Sequence, residues 1–225
     1  MKPSDFYTNP LQQKLLAALS RGKQEEINAI LAQGAKPNLE GRKGMTPLLW
    51  ALGHKQKESL RVLLAHKADP NRRNADGDLP IHLAAGAEDP EFLDILLKSE
   101  SNPNLANGEG DMPLHIAAEQ ERRANVSRLL EAGADLNAQT LVGFTPMLNT
   151  AMRDDWKFVL FLLENGANPK VPTKLGVTLP FVASRSRVRP ESDDGKALAK
   201  VIDLLKKQGV RFPPPTPAEV KATMK

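Results

Sequence analysis

Residues 79–85 read Leu-Pro-Ile-His-Leu-Ala-Ala, and residues 112–118 repeat this pattern 33 positions later as Met-Pro-Leu-His-Ile-Ala-Ala. Related stretches stand at the same spacing in residues 46–52 (Thr-Pro-Leu-Leu-Trp-Ala-Leu), 145–151 (Thr-Pro-Met-Leu-Asn-Thr-Ala) and 178–184 (Thr-Leu-Pro-Phe-Val-Ala-Ser). A proline in the first turn of a helix loses no hydrogen bond and presets φ, and a threonine before it can cap the helix. The stretch therefore predicts a short helix that recurs along the chain.

Other residue types keep the same period. Each short helix is followed by an apolar run with helical spacing, such as Leu60, Leu63 and Leu64. One such unit cannot bury its own apolar face, so stacked units must share a core, which predicts an elongated solenoid. The other periodic positions are Gly44, Gly77, Gly110, Gly143 and Gly176; Leu31, Leu64, Leu97, Leu130 and Leu163; and Asn38, Asn71, Asn104 and Asn137, with Lys170 in the fifth place.

These residues resemble the ankyrin repeat, whose signature is Thr-Pro-Leu-His-x-Ala-Ala in a unit of this length. The resemblance covers roughly residues 11–212, almost the whole chain. It implies an all-α fold, a right-handed ankyrin-repeat solenoid of about six stacked helix pairs with projecting β-hairpin loops and no β-sheet core.

Departures from the repeat predict the boundaries within the chain. We expect an N-terminal capping repeat in residues 1–38, four central repeats in 39–170, a C-terminal repeat in 171–212 and a proline-rich tail in 213–225. The closing Gly209 comes ten residues late, which predicts an inserted loop over residues 185–195 and an outer helix over residues 196–208. Residues 216–219 (Thr-Pro-Ala-Glu) form a capping-box pattern that can start a terminal helix.

Individual positions also break the pattern inside the repeats. Outer helices are expected to end at a glycine with positive φ, but Lys67 and Glu100 occupy that place in two repeats and predict strained helix ends. Trp50 fills an apolar position between the histidine position of the signature and an alanine, so we expect it in the core. Asn149 fills the same position in its own repeat and predicts a weakened or rearranged inner helix there.

Composition excludes several classes of protein. The absence of cysteine rules out disulfides and thiolate metal sites, and no apolar run approaches the length of a membrane span. Residues 1–5 lack an apolar segment, so we expect no signal peptide in this sequence. The net charge of +4 comes from residues 185–225, which hold 10 Lys/Arg and 5 Asp/Glu. The rest of the chain lacks the basic stripe of a nucleic-acid binder, so we expect no nucleic-acid partner.

Candidate catalytic residues do not form a constellation. His82 and His115 occupy the histidine position of the repeat signature, where the resemblance implies a hydrogen-bonding bridge between adjacent repeats. His54 and His66 are isolated, and no pair of histidines has metal-ligand spacing. The sequence therefore predicts no enzyme activity, no metal and no cofactor.

The resemblance implies a protein-binding scaffold that docks a folded protein on its hairpin tips and inner-helix ends, which together form a concave groove. Trp156 has two possible roles, an exposed interface anchor or a residue in local packing. We expect the protein to be monomeric by itself. The predicted contact residues are Arg42, Lys43, His54, Arg72, Arg73, Asn74, Glu88, Glu121, Arg122, Arg153, Asp154, Asp155 and Trp156.

A second resemblance concerns some 50 residues at the N-terminal end. Asp5-Phe6-Tyr7 and residues 15–19, 34–38 and 44–52 are similar to a group of small bacterial ankyrin proteins that are often exported to the periplasm. It implies an inhibitor or immunity protein that neutralises a secreted toxic enzyme such as a lipase-like effector. The expected location is periplasmic, provided that an export segment preceded Lys2. The alternative is a general cytoplasmic scaffold or regulatory adaptor with an unrelated protein partner.

Overall fold

The computed structural model describes residues 2–224 and is helical throughout, with thirteen α-helices and no strand in that part of the chain. Twelve helices form six successive pairs, each with an inner and an outer helix, as expected from the period. The pairs are α1 (Pro10–Leu19) with α2 (Gln24–Ala32), α3 (Pro47–Gly53) with α4 (Lys57–Ala65), α5 (Pro80–Gly86) with α6 (Glu91–Leu97), α7 (Pro113–Glu119) with α8 (Arg123–Glu131), α9 (Pro146–Met152) with α10 (Trp156–Glu164), and α11 (Leu179–Arg185) with α12 (Asp193–Lys207); α13 (Pro217–Thr223) follows.

One continuous core joins all six pairs. Each inner helix packs on the inner helix of the next pair, and it also packs on its own outer helix. Leu48, Ile81 and Leu114, at equivalent places in three inner helices, are almost fully buried. Leu60 and Leu93 from the outer helices meet them in the same core. Because each pair buries its apolar face against the pairs next to it, two for an internal pair and one for an end pair, no pair is expected to be stable alone.

The inner helices satisfy their first amide groups in two different ways. Where the residue before the helix is a threonine, its hydroxyl accepts a hydrogen bond, as from Leu49 N to Thr46 Oγ1 at 3.2 Å. The third and fourth pairs have Leu79 and Met112 in that place, and there a histidine three residues later accepts a hydrogen bond from the amide of the cap residue itself. The amide of Leu79 donates to His82 Nδ1 at 3.2 Å. The threonine and the histidine are thus alternative caps for the same helix start.

The same histidines also tie consecutive repeats together. Because Nδ1 of His82 accepts a hydrogen bond, Nε2 carries the proton and donates to the carbonyl oxygen of Asp111 at 3.0 Å. His115 makes the equivalent bond to the carbonyl oxygen of Phe144 at 3.0 Å. Both rings are buried. The predicted inter-repeat bridge is confirmed for both histidines.

The periodic asparagines form a second ladder between repeats. The side-chain amide of Asn38 donates to the carbonyl oxygen of Lys67 at 2.8 Å, and its oxygen accepts from Asp69 N at 2.7 Å. Asn71 and Asn104 repeat both bonds one unit further along. Lys170, in the fifth place, has no acceptor in its side chain, so this pattern of reciprocal bonds cannot continue there.

The outer helices end as the glycine positions predict. Lys67 and Glu100 adopt φ values of 60° and 63°, the left-handed conformation that Gly133 adopts at 84° in the next repeat. A side chain with a Cβ is disfavoured there, so the predicted strain at these two helix ends is present. The projecting loops are hydrogen-bonded turns, with Asn74 N donating to the carbonyl oxygen of Asp78 at 2.8 Å.

The last repeat differs from the expectation in where its outer helix begins. The loop between α11 and α12 covers residues 186–192, and α12 begins at Asp193 rather than at residue 196. Ser192 causes the early start because its hydroxyl accepts from Gly195 N at 3.0 Å as an N-cap. The capping box at Thr216 and Glu219 forms as predicted and starts α13.

The prediction of a rearranged inner helix at Asn149 is wrong, whereas a weakened helix stays a prediction. The helix α9 is seven residues long, as α5 and α7 are, and Leu148 N donates to the hydroxyl of its cap Thr145 at 3.2 Å. Asn149 is only half-buried, so its amide does not have to enter the core.

We expect the stability of the protein to fall as the pH drops from about 7.5 to 5. Burial lowers the pKa of His82 and His115 below the usual 6.5, and protonation of Nδ1 would place a hydrogen against a backbone N–H that now donates to it. A group with a lowered native pKa stabilises the fold above its unfolded pKa of about 6.5, and this contribution is lost as the pH falls through the native value. Thermal melting across this pH range measures the effect.

The matched variants copy the threonine-type repeats of the chain itself. Met112→Thr with His115→Leu reproduces the pair found at Thr145 and Leu148, and removes one titrating ring while keeping a cap. We expect a smaller pH dependence in this variant, whereas His115→Ala, which also loses the cap, should cost about 1–2 kcal/mol at pH 7.5. An unchanged pH dependence in the threonine variant would contradict this interpretation.

Candidate protein-binding surface

The inner helices place one side chain each in a row on the face away from the outer helices. We call Trp50, Leu83, Ile116, Asn149 and Val182 the inner-helix row; each is the fourth residue of its helix or lies at the equivalent position. Ile116, Asn149 and Val182 are half-buried, and Leu83 is 40% exposed. The row therefore offers mostly apolar side chains to a partner.

Trp50 is the exception in the row because the N-terminal segment covers it. Its ring packs edge-on against Phe6 at 5.7 Å between centroids, and the ring of exposed His54 lies 4.3 Å from it. Its indole N–H donates to the carbonyl oxygen of Leu16 at 2.8 Å. The expectation that Trp50 belongs to the core is confirmed. His54 helps to cover it, and its Nδ1 lies 2.9 Å from the Trp50 carbonyl oxygen.

The turn after α5 differs from the turns that follow α3, α7 and α9. Lys55, Glu121 and Asp154 have positive φ at the equivalent place, and this conformation lets backbone amides close the end of the inner helix. In the third pair the equivalent residue, Glu88, does not have a positive φ, and Ala87 before it is extended (φ −66°, ψ 147°). The outer helix α6 is also two residues shorter than α4. The inner-helix face next to this turn has a cavity of about 600 Å³, lined by Leu52, Gly53, Lys55, Lys57, Leu83, Gly86, Ala87, Glu88, Asp89, Phe92 and Arg122.

Two side chains of the next repeat satisfy the open end of α5. The amide of Asn125 donates to the carbonyl oxygens of Ala85 and Ala87, both at 2.9 Å. Arg122 Nε donates to the carbonyl oxygen of Gly86 at 3.0 Å. Arg122 was predicted to contact a partner, but its guanidinium is engaged in holding this turn; Glu88, whose carboxylate lies 3.7 Å from it, remains highly exposed.

Two of the three cations that line this cavity, Lys57 and Arg122, already have acidic partners, whereas Lys55 forms no ion pair within residues 2–224. Lys57 Nζ lies 2.5 Å from the Asp89 carboxylate and also pairs with Glu91, which in turn pairs with Arg61. These ion pairs lower the pKa of Glu91 and link α4 to the start of α6. The charges of the cavity rim are therefore largely balanced.

Trp156 is not a surface residue, and the prediction of an exposed interface anchor is wrong. Trp156 is the first residue of α10, and it is 0% exposed because its side chain lies in the core. The indole N–H donates to Asp154 Oδ1 and Ser186 Oγ, both at 3.0 Å. Ser186 comes from the inserted loop of the following repeat, and its hydroxyl donates to Asp154 at 2.6 Å. The alternative interpretation, local packing, is the one that the structure supports.

Asp154 and Asp155 also have structural roles. Asp154 accepts both bonds just described, with a positive φ of 59° at the turn. Asp155 caps α10 by accepting from Phe158 N at 3.0 Å. Burial, with the nearby charges of Glu121 and Asp194, raises the pKa of Asp155 above its ordinary value. Neither carboxylate is free to act as an independent contact.

The predicted tip residues divide into exposed and engaged side chains. Arg42 and Lys43 lie on the first tip and are exposed. Arg72 pairs with Glu40 at 2.9 Å, and Arg73 donates to the carbonyl oxygen of Gly77 at 3.0 Å. Asn74 accepts from Asp76 N and Asp78 N at 2.9 Å each, so its amide oxygen shapes the turn. Only the first tip keeps two cations available.

The remaining predicted contacts lie at the ends of α7 and α9. Arg153 donates to the carbonyl oxygen of Glu119 at 2.6 Å and so caps the preceding inner helix, as Arg122 does. Glu121 is exposed at a positive φ of 57°. Whether any predicted residue touches a partner stays a prediction.

Exposed apolar side chains are the feature that the predicted contact set lacks. Leu83 and Met152 (56% exposed) lie on the inner-helix face, and Leu141, Val142 and Leu175 lie on the fourth and fifth tips. The signal was available in the repeat itself, because the second and third tips carry Asp76 and Glu109 where the later tips carry Val142 and Leu175. A comparison of equivalent tip positions would have identified them.

Metal or membrane chemistry finds no support in the described residues. Among residues 2–224, no group of three histidine, aspartate or glutamate side chains is placed to hold a metal ion. No helix in that part of the chain combines the length and the apolar character needed to cross a membrane.

A family model for ankyrin repeats matches residues 14–107 and 81–173, in three copies. The chain belongs to the ankyrin-repeat family. A search of curated proteins found no match. Ankyrin repeats are a scaffold for protein–protein interaction and are typically non-catalytic, so this ankyrin protein is a binding scaffold for another protein.

We expect Trp156→Ala to destabilise this ankyrin protein by about 3–5 kcal/mol, because it empties a fully buried site at a repeat junction. Trp156→Phe keeps most of the ring and should cost about 1–2 kcal/mol through the lost indole bonds. Urea unfolding of both variants measures the order. Unchanged stability of Trp156→Ala would show that the ring is not part of the core.

Proposed function

We propose that this ankyrin protein is an inhibitor that binds a secreted enzyme through its inner-helix face and blocks the active site of that enzyme. The observation that carries the binding surface is the exposure of Leu83 and Met152 on this face. Packing of the repeats does not require either side chain to be apolar, since both point away from the core. Apolar residues in such places favour a protein interface.

The nature of the partner rests on the resemblance of residues 5–52 to exported bacterial ankyrin proteins. That resemblance favours an immunity role, with a lipase-like toxic enzyme as the partner and the periplasm as the compartment. The scaffold then acts by occupation, because steric closure of an active site needs no catalytic residue in the inhibitor. We further propose that the protein is monomeric without its partner, which light scattering can test.

The experiment is capture of the partner on immobilised protein, followed by reconstitution from purified components. We expect an equimolar complex in which ester hydrolysis by the captured enzyme falls to background. The double variant Leu83→Asp with Met152→Asp should weaken the complex by about 100-fold, because two carboxylates would be desolvated in the interface. Isothermal titration measures the affinity.

Ala124→Asp on the exposed side of α8 is the matched control, since it adds a carboxylate on the outer helices. Equal affinity of the double variant and the control would place the interface elsewhere. A partner without enzymatic activity would favour the alternative function, a regulatory adaptor in the cytoplasm. Cell fractionation decides between the two compartments.

A further inference from the structure

The last two repeats expose apolar side chains where the earlier repeats expose charges. Leu141 and Val142 on the fourth tip are 64% and 60% exposed, and Leu175 on the fifth tip is 68% exposed. The backbones of these tips are joined, since Lys174 N donates to the carbonyl oxygen of Val142 at 3.3 Å. The three side chains thus form one apolar edge at the C-terminal end of the row of tips.

A cavity continues this edge along the inner helices. It measures about 310 Å³ and lies between α9 and α11. Val177 follows the fifth tip directly, so the cavity begins at the base of that tip and runs to the end of α11. Its lining residues are Ala151, Met152, Asp154, Val177, Phe181, Val182, Arg185 and Ser186. Space of this kind accepts an apolar side chain of another protein.

Three arginines follow the cavity without acidic partners. Arg185 lies over the Phe181 ring at 5.7 Å, and Arg187 and Arg189 are exposed on the inserted loop. Within residues 2–224, no carboxylate forms an ion pair with any of the three. Beside α5, by contrast, Lys57 and Arg122 form ion pairs with acidic side chains. Two parts of one face therefore differ in whether their cations are paired.

The acids close to these arginines are few and mostly engaged. Asp154 receives hydrogen bonds from Trp156 and Ser186. Asp194 accepts from Lys157 N at 3.1 Å, and Asp193 lies 3.9 Å from Lys196 Nζ. Glu191 is the one carboxylate inside the loop of residues 186–192. The loop and the end of α11 therefore keep an excess of positive charge.

We propose that this C-terminal strip, made of Met152, Val177, Val182, Leu175 and the three arginines, binds an acidic segment of a partner protein that also carries apolar side chains. The proposal rests on the function proposed above and states the chemistry of the partner. An apolar side chain fills the cavity, and carboxylates beside it pair with the guanidinium groups, which suit such pairing by their planar fork. The unpaired positive charge also accelerates association with an acidic surface.

The test uses labelled synthetic peptides and fluorescence anisotropy with the intact protein. One peptide combines glutamate with leucine and phenylalanine; a second replaces every glutamate by lysine, and a third replaces every apolar residue by serine. We expect only the first to bind, with an affinity that weakens as salt is added. Arg185→Glu with Arg187→Glu should reduce this affinity by about 10-fold or more.

The matched control is Lys14→Glu with Lys23→Glu, which changes the net charge equally at exposed sites of the first repeat. To test the apolar contacts, we expect Met152→Ser to lower the affinity for the first peptide, whereas Leu83→Ser, in the cavity beside α5, should leave this affinity unchanged. Equal effects of the two charge reversals, or binding of the lysine peptide, would overturn the proposal. The proposal would also be overturned if the protein bound phosphatidylglycerol vesicles and the Arg185→Glu/Arg187→Glu variant abolished this binding while its affinity for the first peptide stayed unchanged.

The same loop variant separates this proposal from the function on which it rests. If the captured partner binds wild-type protein and the Arg185→Glu/Arg187→Glu variant equally well, the inhibitor function stands. The proposal that the C-terminal strip binds an acidic segment of the partner is then refuted. If the peptide behaves as expected but no enzyme is inhibited, the strip stands and the inhibitor function is refuted.

Discussion

The apolar contact between successive helix pairs is the interaction on which the whole molecule depends. Each pair buries residues such as Leu48 or Ile81 against a neighbouring pair, and a single pair could not bury its apolar face by itself. Removing water from this surface contributes roughly 25 cal/mol per Å², the largest favourable term available to a chain with few aromatic residues. Stability therefore accumulates along the stack, and the polar bonds described above set its register.

Residues at positions that vary between repeats also make hydrogen bonds from one repeat to the next, which the repeat signature does not indicate. Arg122 and Arg153 close the ends of the preceding inner helices, and Asn125 completes the open end of α5. An unpaired carbonyl group at a buried helix end costs free energy. Where the turn leaves such a group open, a side chain of the following repeat therefore has to donate a hydrogen bond to it. Residues that vary between repeats are in this way committed to the framework.

What remains for a partner is the surface that the framework does not use. The exposed apolar side chains divide into one group at Leu83 and another at Met152, Val142 and Leu175. Paired ions surround the first group, and unpaired arginines follow the second. A single binding face therefore offers two chemically different parts, which lets one scaffold discriminate between partners through charge as well as shape.

The resemblance to the ankyrin repeat predicted the histidine bridges, and the sequence by itself determined the family and the six helix pairs. These depend on local rules, such as proline at a helix start, and on a period that repeats them. The tertiary structure decided the burial of Trp156 and the roles of Arg122 and Arg153. Each of these depends on a group about 30 residues away in the adjoining repeat, as Ser186 does for Trp156. Burial of a turn residue is set by what the neighbouring repeat brings against it, and a pattern within one repeat does not contain that information.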